Sequence, residues 1–252
     1  LKASISKIDC GQNMYRSSFV NQIYFVSNRE GYDCSFIEDA LKTVDQVALL
    51  VDNPPVVNFI IQDRAFDATF DKGFIIQFPQ RYHLKNSHAN FHANRKDQTL
   101  PVVAHEYGHA LFSKILEANI PMIKTFNQKA KELSRLKLQS KDLLSQAHRF
   151  DNTFTVAQRI NIQKSIQSVG LQIGKKKNSF YKMKKNHFLL DMVTPYHELF
   201  ADIVAVFHFG RLDIIADTLR HPHPNLSELN KNNARAFSSR FVDIENLDAS
   251  LP

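Results

Sequence analysis

Apolar positions recur along this chain in two rhythms, one of period two and one near 3.6, and they mark out its elements. Residues 19–26 (FVNQIYFV) are rich in β-branched and aromatic side chains and predict a strand. Residues 35–50 predict a helix with an apolar stripe of Ile37, Leu41, Val44 and Ala48. Ser35 is placed as its N-cap and Glu38 completes a capping box, while Asn53-Pro54-Pro55 stops it. Residues 56–61 (VVNFII) predict a buried strand. Residues 74–78 (FIIQF) predict another, which Pro79 ends and marks as an edge. The polar stretch 80–99 predicts a loop. A helix is expected from near Pro101 to about Ala118, with Thr99 as cap and Pro121 closing it. Another is expected over 194–209, opened by Thr194-Pro195, and a last one over 226–241 after the loop His221–Asn225.

Between the helices near 101–118 and 194–209 lies a long stretch, about 122–187. Ile123, Phe126, Ala130, Leu133, Leu136, Leu143, Ala147 and Phe150 recur at helical spacing, as do Val156, Ile160, Ile166, Val169 and Ile173 after the break at Asp151-Asn152-Thr153. This pattern predicts an αα-hairpin inserted into the domain. Its ends must come close to the two flanking helices, so it is expected to form a wall of a cleft or a docking arm. The basic run after Gly174 is expected to return the chain to the main body.

At 252 residues, the chain fits one domain with an insertion. Its apolar fraction of 43% and charged fraction of 23% argue against general disorder. The net charge is +7, concentrated at Lys175, Lys176, Lys177, Lys182, Lys184 and Lys185. This excess favours an acidic partner or an anionic surface, although a run of this kind is usually a solvated face. The aromatic and basic residues do not alternate as they do on single-strand nucleic-acid platforms. No apolar run approaches the roughly 20 residues of a transmembrane helix. The chain begins at Leu1 without a signal-peptide pattern and reads as a mature or trimmed product. Its two cysteines, Cys10 and Cys34, have no metal or nucleophile context. They are expected either to pair, which would place the chain outside the cytoplasm (periplasmic or secreted), or to stay as free thiols.

The chemistry concentrates in Val102-Val103-Ala104-His105-Glu106-Tyr107-Gly108-His109-Ala110-Leu111, which contains HExxH. On a helix, residues four apart share a face, so His105 and His109 can reach one metal ion. Glu106 sits beside them, placed to take a proton from water rather than to ligate. The surrounding residues are apolar or small, so this helix is expected to be buried, and buried His and Glu need partners. A catalytic zinc site takes three protein ligands and leaves one position open. The second signal is Tyr196-His197-Glu198-Leu199-Phe200-Ala201-Asp202, where Glu198 and Asp202 lie one helical turn apart in another apolar helix. One carboxylate can ligate while the other bonds the far nitrogen of a ligating imidazole.

HExxH followed downstream by ExxxD resembles the gluzincins, the thermolysin-like clan of zinc peptidases. The resemblance covers the two motif helices and the upstream sheet, and it implies an α+β zincin-like fold. That fold would be a small twisted sheet with a backing helix and a metal helix, and a mostly helical C-terminal half. It further implies His105, His109 and Glu198 as zinc ligands, Glu106 as general base, and Asp202 as the partner of His105. The substrate would be a peptide or protein pairing with the edge strand Phe74–Phe78. No third His follows His109 within a dozen residues, as it would in metzincins, since the next is His148.

An oxyanion donor is also required. His223 is the preferred candidate, ahead of His221 and Tyr196. His83, His88 and His92 are expected in solvent-facing loop, and His187, His197 and His208 in structural roles. The rival reading is an interaction protein that binds through its helical hairpin and carries a vestigial or structural zinc site. The presence of Glu106 speaks against it, since a structural site has no use for a base.

Overall fold

The structure, a computed structural model, describes residues 4–7, 10–11, 14–27, 32–65, 68–82, 96–148, 154–185, 188–212 and 214. Its strands form one mixed five-stranded sheet in the order β1-β2-β3-β5-β4. The strands are β1 (Ser4–Lys7), β2 (Val20–Ser27), β3 (Val57–Ala65), β4 (Thr69–Asp71) and β5 (Ile75–Tyr82). β2, β3 and β5 are parallel, and the short outer strands β1 and β4 run antiparallel to their neighbours. The parallel pair β2–β3 needs a crossover, and α1 (Cys34–Ala48) supplies it. The remaining described elements are helical: α2 (Lys96–Asn119), α3 (Pro121–His148), α4 (Val156–Lys185), α5 (Phe188–Met192) and α6 (Thr194–Phe209). The fold is α+β and mostly helical, as the sequence predicts.

Alternation along β3 and β5 puts Phe59, Ile61, Ile76 and Phe78 on one buried face. There they meet the α1 stripe of Ile37, Leu41, Val44 and Val47 and the α2 residues Val103, Ala104, Tyr107 and Leu111. The Phe59 and Phe78 rings pack edge to face, 5.0 Å between centroids. Tyr107 is wholly buried, and its hydroxyl donates to the Pro55 carbonyl oxygen at 2.9 Å, so the core holds its phenol without stranding a polar group.

Several boundaries differ from expectation for local reasons. The N-cap of α1 is Asp33, whose carboxylate accepts from the Ser35 and Phe36 amides, and Glu38 instead pairs with Lys42 at 2.7 Å. Cys34, the first residue of α1, is disulfide-bonded to Cys10. α2 starts at Lys96 rather than near Pro101, so Pro101 lies inside it and forfeits the one backbone bond its N–H would have made. α6 covers the predicted span, with Pro195 in its first turn and Gly210 as a left-handed C-cap, but its N-cap is Val193 and not Thr194, whose hydroxyl donates to the Leu190 carbonyl oxygen at 2.9 Å.

The expected edge strand also needs correction. β4 covers β5 from Ile75 to Gln77, so the edge next to this stretch is Thr69–Asp71. Beyond Gln77, no strand among the described residues covers this side of β5, and Pro79 falls within that stretch without ending the strand.

The helical hairpin forms as α3 and α4. Phe126 stacks on Phe180 at 4.7 Å, and Glu132 pairs with Lys176 further along, an antiparallel progression. α3 also touches the sheet. The Ser134 hydroxyl donates to Asp71 at 2.6 Å, and the Lys131 ammonium lies 3.9 Å from the Phe74 ring centroid. The basic run does not return the chain, because α4 continues through it to Lys185. Lys175, Lys176, Lys177, Lys182 and Lys184 lie on exposed helix surface. Among the described residues, no helix is long and apolar enough to cross a membrane. The loop histidines His83, His88 and His92, together with His187, His221, His223 and the helix predicted at 226–241, lie outside the described residues.

Candidate metal centre

Two helices build the site, and a glycine sets their separation. Gly108 of α2 faces Ala201 of α6 so closely that a Cβ on Gly108 would lie 2.8 Å from the Ala201 Cα. Close approach of two backbones requires small residues on both sides. Here it brings the one-turn pair His105/His109 of α2 against the one-turn pair Glu198/Asp202 of α6. Gly108→Ala is therefore expected to push α6 outward. It should cost on the order of 1–3 kcal/mol by overpacking, read as a lower melting temperature, with weaker metal retention as the second readout. An unchanged melting curve would mean that the helix contact is softer than this packing implies.

The donor atoms converge. His105 Nε2 and His109 Nε2 are 3.1 Å apart. Glu198 presents one carboxylate oxygen 3.6 Å from His105 Nε2 and the other 3.7 Å from His109 Nε2. Ligands about 2.1 Å from a tetrahedral ion stand roughly 3.4 Å from one another, and the three observed separations bracket that value. His105, His109 and Glu198 are a group that could hold a metal ion.

Asp202 completes the arrangement behind His105, with its carboxylate oxygen 2.8 Å from His105 Nδ1. That proximity favours a proton on Nδ1, so Nε2 is the nitrogen that faces the other donors. Burial pushes the His105 imidazole down, but Asp202 and Glu198 outweigh it and raise the group to about 9. Burial and the neighbouring His105 charge lower His109 to about 4. One imidazole thus holds a proton while its neighbour stays neutral, and an incoming cation must displace that proton. Glu106 is buried next to His105 and lies outside the three-donor group.

Two residues that the sequence did not assign to the site lie against it. His197 is buried, with its ring 5.8 Å from that of His109 and edge-on to Phe112 at 4.7 Å. Lys72, in the turn after β4, places its ammonium 2.7 Å from His197 Nε2. Burial brings Lys72 down to about 8, opposed by the fields of Glu198 and Asp71. Burial, with Lys72 and His109 adding to it, lowers His197 to about 3, so this imidazole is a neutral acceptor for the lysine. Phe70 on β4 stacks on His109 at 6.2 Å. No local signal marked Lys72, which lies in the turn just beyond β4. Its ammonium lies beside the Phe70 ring, while Asp71 accepts from Ser134. Tyr196 is exposed on α6, and His208 lies in that helix's last turn.

A scan against protein-family models and searches of curated proteins and of solved structures give no match for this chain.

Proposed function

We propose that this chain is a zinc-dependent peptidase with a zincin-like arrangement, in which the described residues and the C-terminal segment form one catalytic domain. The observation that carries this reading is the convergence of His105, His109 and Glu198, held by two helices, with a buried Glu106 beside them. Two imidazoles and one carboxylate are a donor set suited to zinc that leaves a coordination position open. When bound, zinc supplies Lewis acidity toward water and toward a carbonyl oxygen.

The chain's own residues do the rest. Glu106 accepts a proton from the attacking water at its carboxylate and returns it to the leaving amine. Asp202 orients His105. β4, rather than the strand predicted from sequence, offers its backbone to an extended peptide by strand addition, with Phe70 linking it to His109. His223 is retained as the candidate oxyanion donor on sequence grounds alone. The exposed lysines of α4 give the hairpin a cationic face suited to an acidic partner, and the Cys10–Cys34 disulfide favours an extracytoplasmic location.

The test is metal analysis of the purified chain together with a peptide-library digest. One zinc per chain and metal-dependent cleavage are expected. A chain that never takes up zinc on reconstitution near neutral pH would end this reading. Asp202→Asn is expected to lower zinc affinity by about 10- to 100-fold, measured by competition with a chelator. An unchanged affinity would remove Asp202 from the site.

A further inference from the structure

Lys72 is a half-buried cation next to a metal-binding cluster, and among the described residues it makes no ion pair. Its hydrogen-bond acceptor is the neutral His197 ring, at 2.7 Å from Nε2, while the carboxylates of Glu198 and Asp71 act on it through space. An ammonium has three donors, and the His197 ring takes one of them, so Lys72 can donate to a further group. The His197 ring, backed by Phe112, and the Phe70 ring, 5.8 Å from the ammonium, hold the lysine in place.

Its position in the chain points to the kind of group it can meet. Lys72 is the first residue after β4, the edge strand, and its ammonium lies beside the Phe70 ring, which stacks on His109. A peptide added to β4 would run past Lys72 at the point where it enters the cluster. The ammonium does not touch the three converging donors, since it bonds His197, the neighbour of Glu198, instead. It therefore stands one step outside the reacting position and matches a group on an adjacent part of the peptide, not the carbonyl oxygen under attack, whose donor must lie within about 3 Å of it.

We infer that Lys72 is a specificity-determining residue that binds a carboxylate of the substrate peptide beside the scissile bond. This rests on the peptidase reading. The carboxylate belongs either to an acidic side chain or to the peptide's C-terminus, and the two are chemically equivalent to a lysine.

The experiment uses the full chain, zinc-loaded and carrying Glu106→Gln so that peptides bind without turnover. Binding of fluorescently labelled peptides is followed by anisotropy. One arm moves a Glu/Gln exchange along the sequence, and the other compares free-acid with amidated C-termini. In the Lys72-containing protein, a carboxylate in one arm should tighten binding roughly tenfold to a hundredfold, as for a charge-assisted hydrogen bond, and the arm that responds identifies the source. Adding Lys72→Met should bring that ratio to unity with zinc content retained. Lys72→Arg should keep most of the preference, and Lys72→Glu should reverse it toward basic peptides. Should the Met variant fail to hold zinc, Lys72→Gln takes its place. A preference that survives loss of the lysine overturns the inference, as does the absence of any carboxylate preference in a chain that still binds peptides. So does a Lys72 variant that weakens binding of all peptides alike, because the lysine would then support the site as a whole and not choose the substrate. If no peptide is bound or cut, the peptidase reading falls and this inference falls with it.

Discussion

Glu106→Gln is expected to reduce peptide hydrolysis by roughly 10²- to 10⁴-fold, the usual contribution of a positioned general base, while leaving the metal in place. Gln matches Glu in shape and keeps a hydrogen-bonding head group, so the buried position between His105 and Tyr107 is not emptied. What it lacks is the ability to accept a proton at neutral pH. Glu106 is also outside the converging donor group, so the exchange should spare zinc content. Initial rates on a peptide found in the library digest, measured beside zinc content and a thermal melt, separate the cases. An undiminished rate would remove Glu106 as the base. Loss of zinc would make it a ligand or a structural support, and the rival reading of a structural site would gain from that.

The helices α2 and α6 were legible in the sequence because both carry their chemistry at one-turn spacing inside apolar stretches. His105/His109 and Glu198/Asp202 could be placed on faces without knowing how the helices meet. What joins them was only half legible. Gly108 stood out as a small residue, but its contact with Ala201 depends on the helix crossing. The sheet edge was misread for a similar reason. β4 is three residues long and two of them are polar, so no alternation announces it. The turn that folds it onto β5 carries the Asp71–Gly73 hydrogen bond of an Asx turn, at 2.7 Å, but its left-handed position falls on a non-glycine residue, Phe74, at a φ of 62°. The α1 cap was misplaced by two residues because Ser35 and Asp33 are both competent N-caps. Asp33 takes the role, its carboxylate accepting from the Ser35 and Phe36 amides. Lys72 and His197 come together across 125 positions of sequence, and no local pattern could have paired them.

Alanine at His105, His109 or Glu198 is expected to abolish zinc retention, and the loss should appear in stability as well as in metal content. Each residue contributes one of three donors that stand 3.1–3.7 Å from one another. Removing any one leaves two protein ligands, one fewer than a catalytic zinc site uses. A metal that binds only the folded chain stabilises it by mass action, about 2.7 kcal/mol at a hundredfold excess over its dissociation constant. The unsubstituted protein should therefore melt at a higher temperature when zinc is added, and the three variants should not respond. His208→Ala supplies the control. It removes an imidazole from the same helix as Glu198 but from its last turn, away from the donor group, and should keep both the zinc and the melting shift. The three substitutions need not be equal in zinc-free stability. Losing His105 leaves the buried Asp202 carboxylate without its 2.8 Å partner, whereas Glu198 is 44% exposed and leaves less behind. The apo form of His105→Ala should accordingly melt lowest. If Glu198→Ala binds zinc as tightly as the unsubstituted chain, the third ligand lies elsewhere and the pairing of α2 with α6 has another purpose. If all three variants keep their metal, the cluster is not the zinc site.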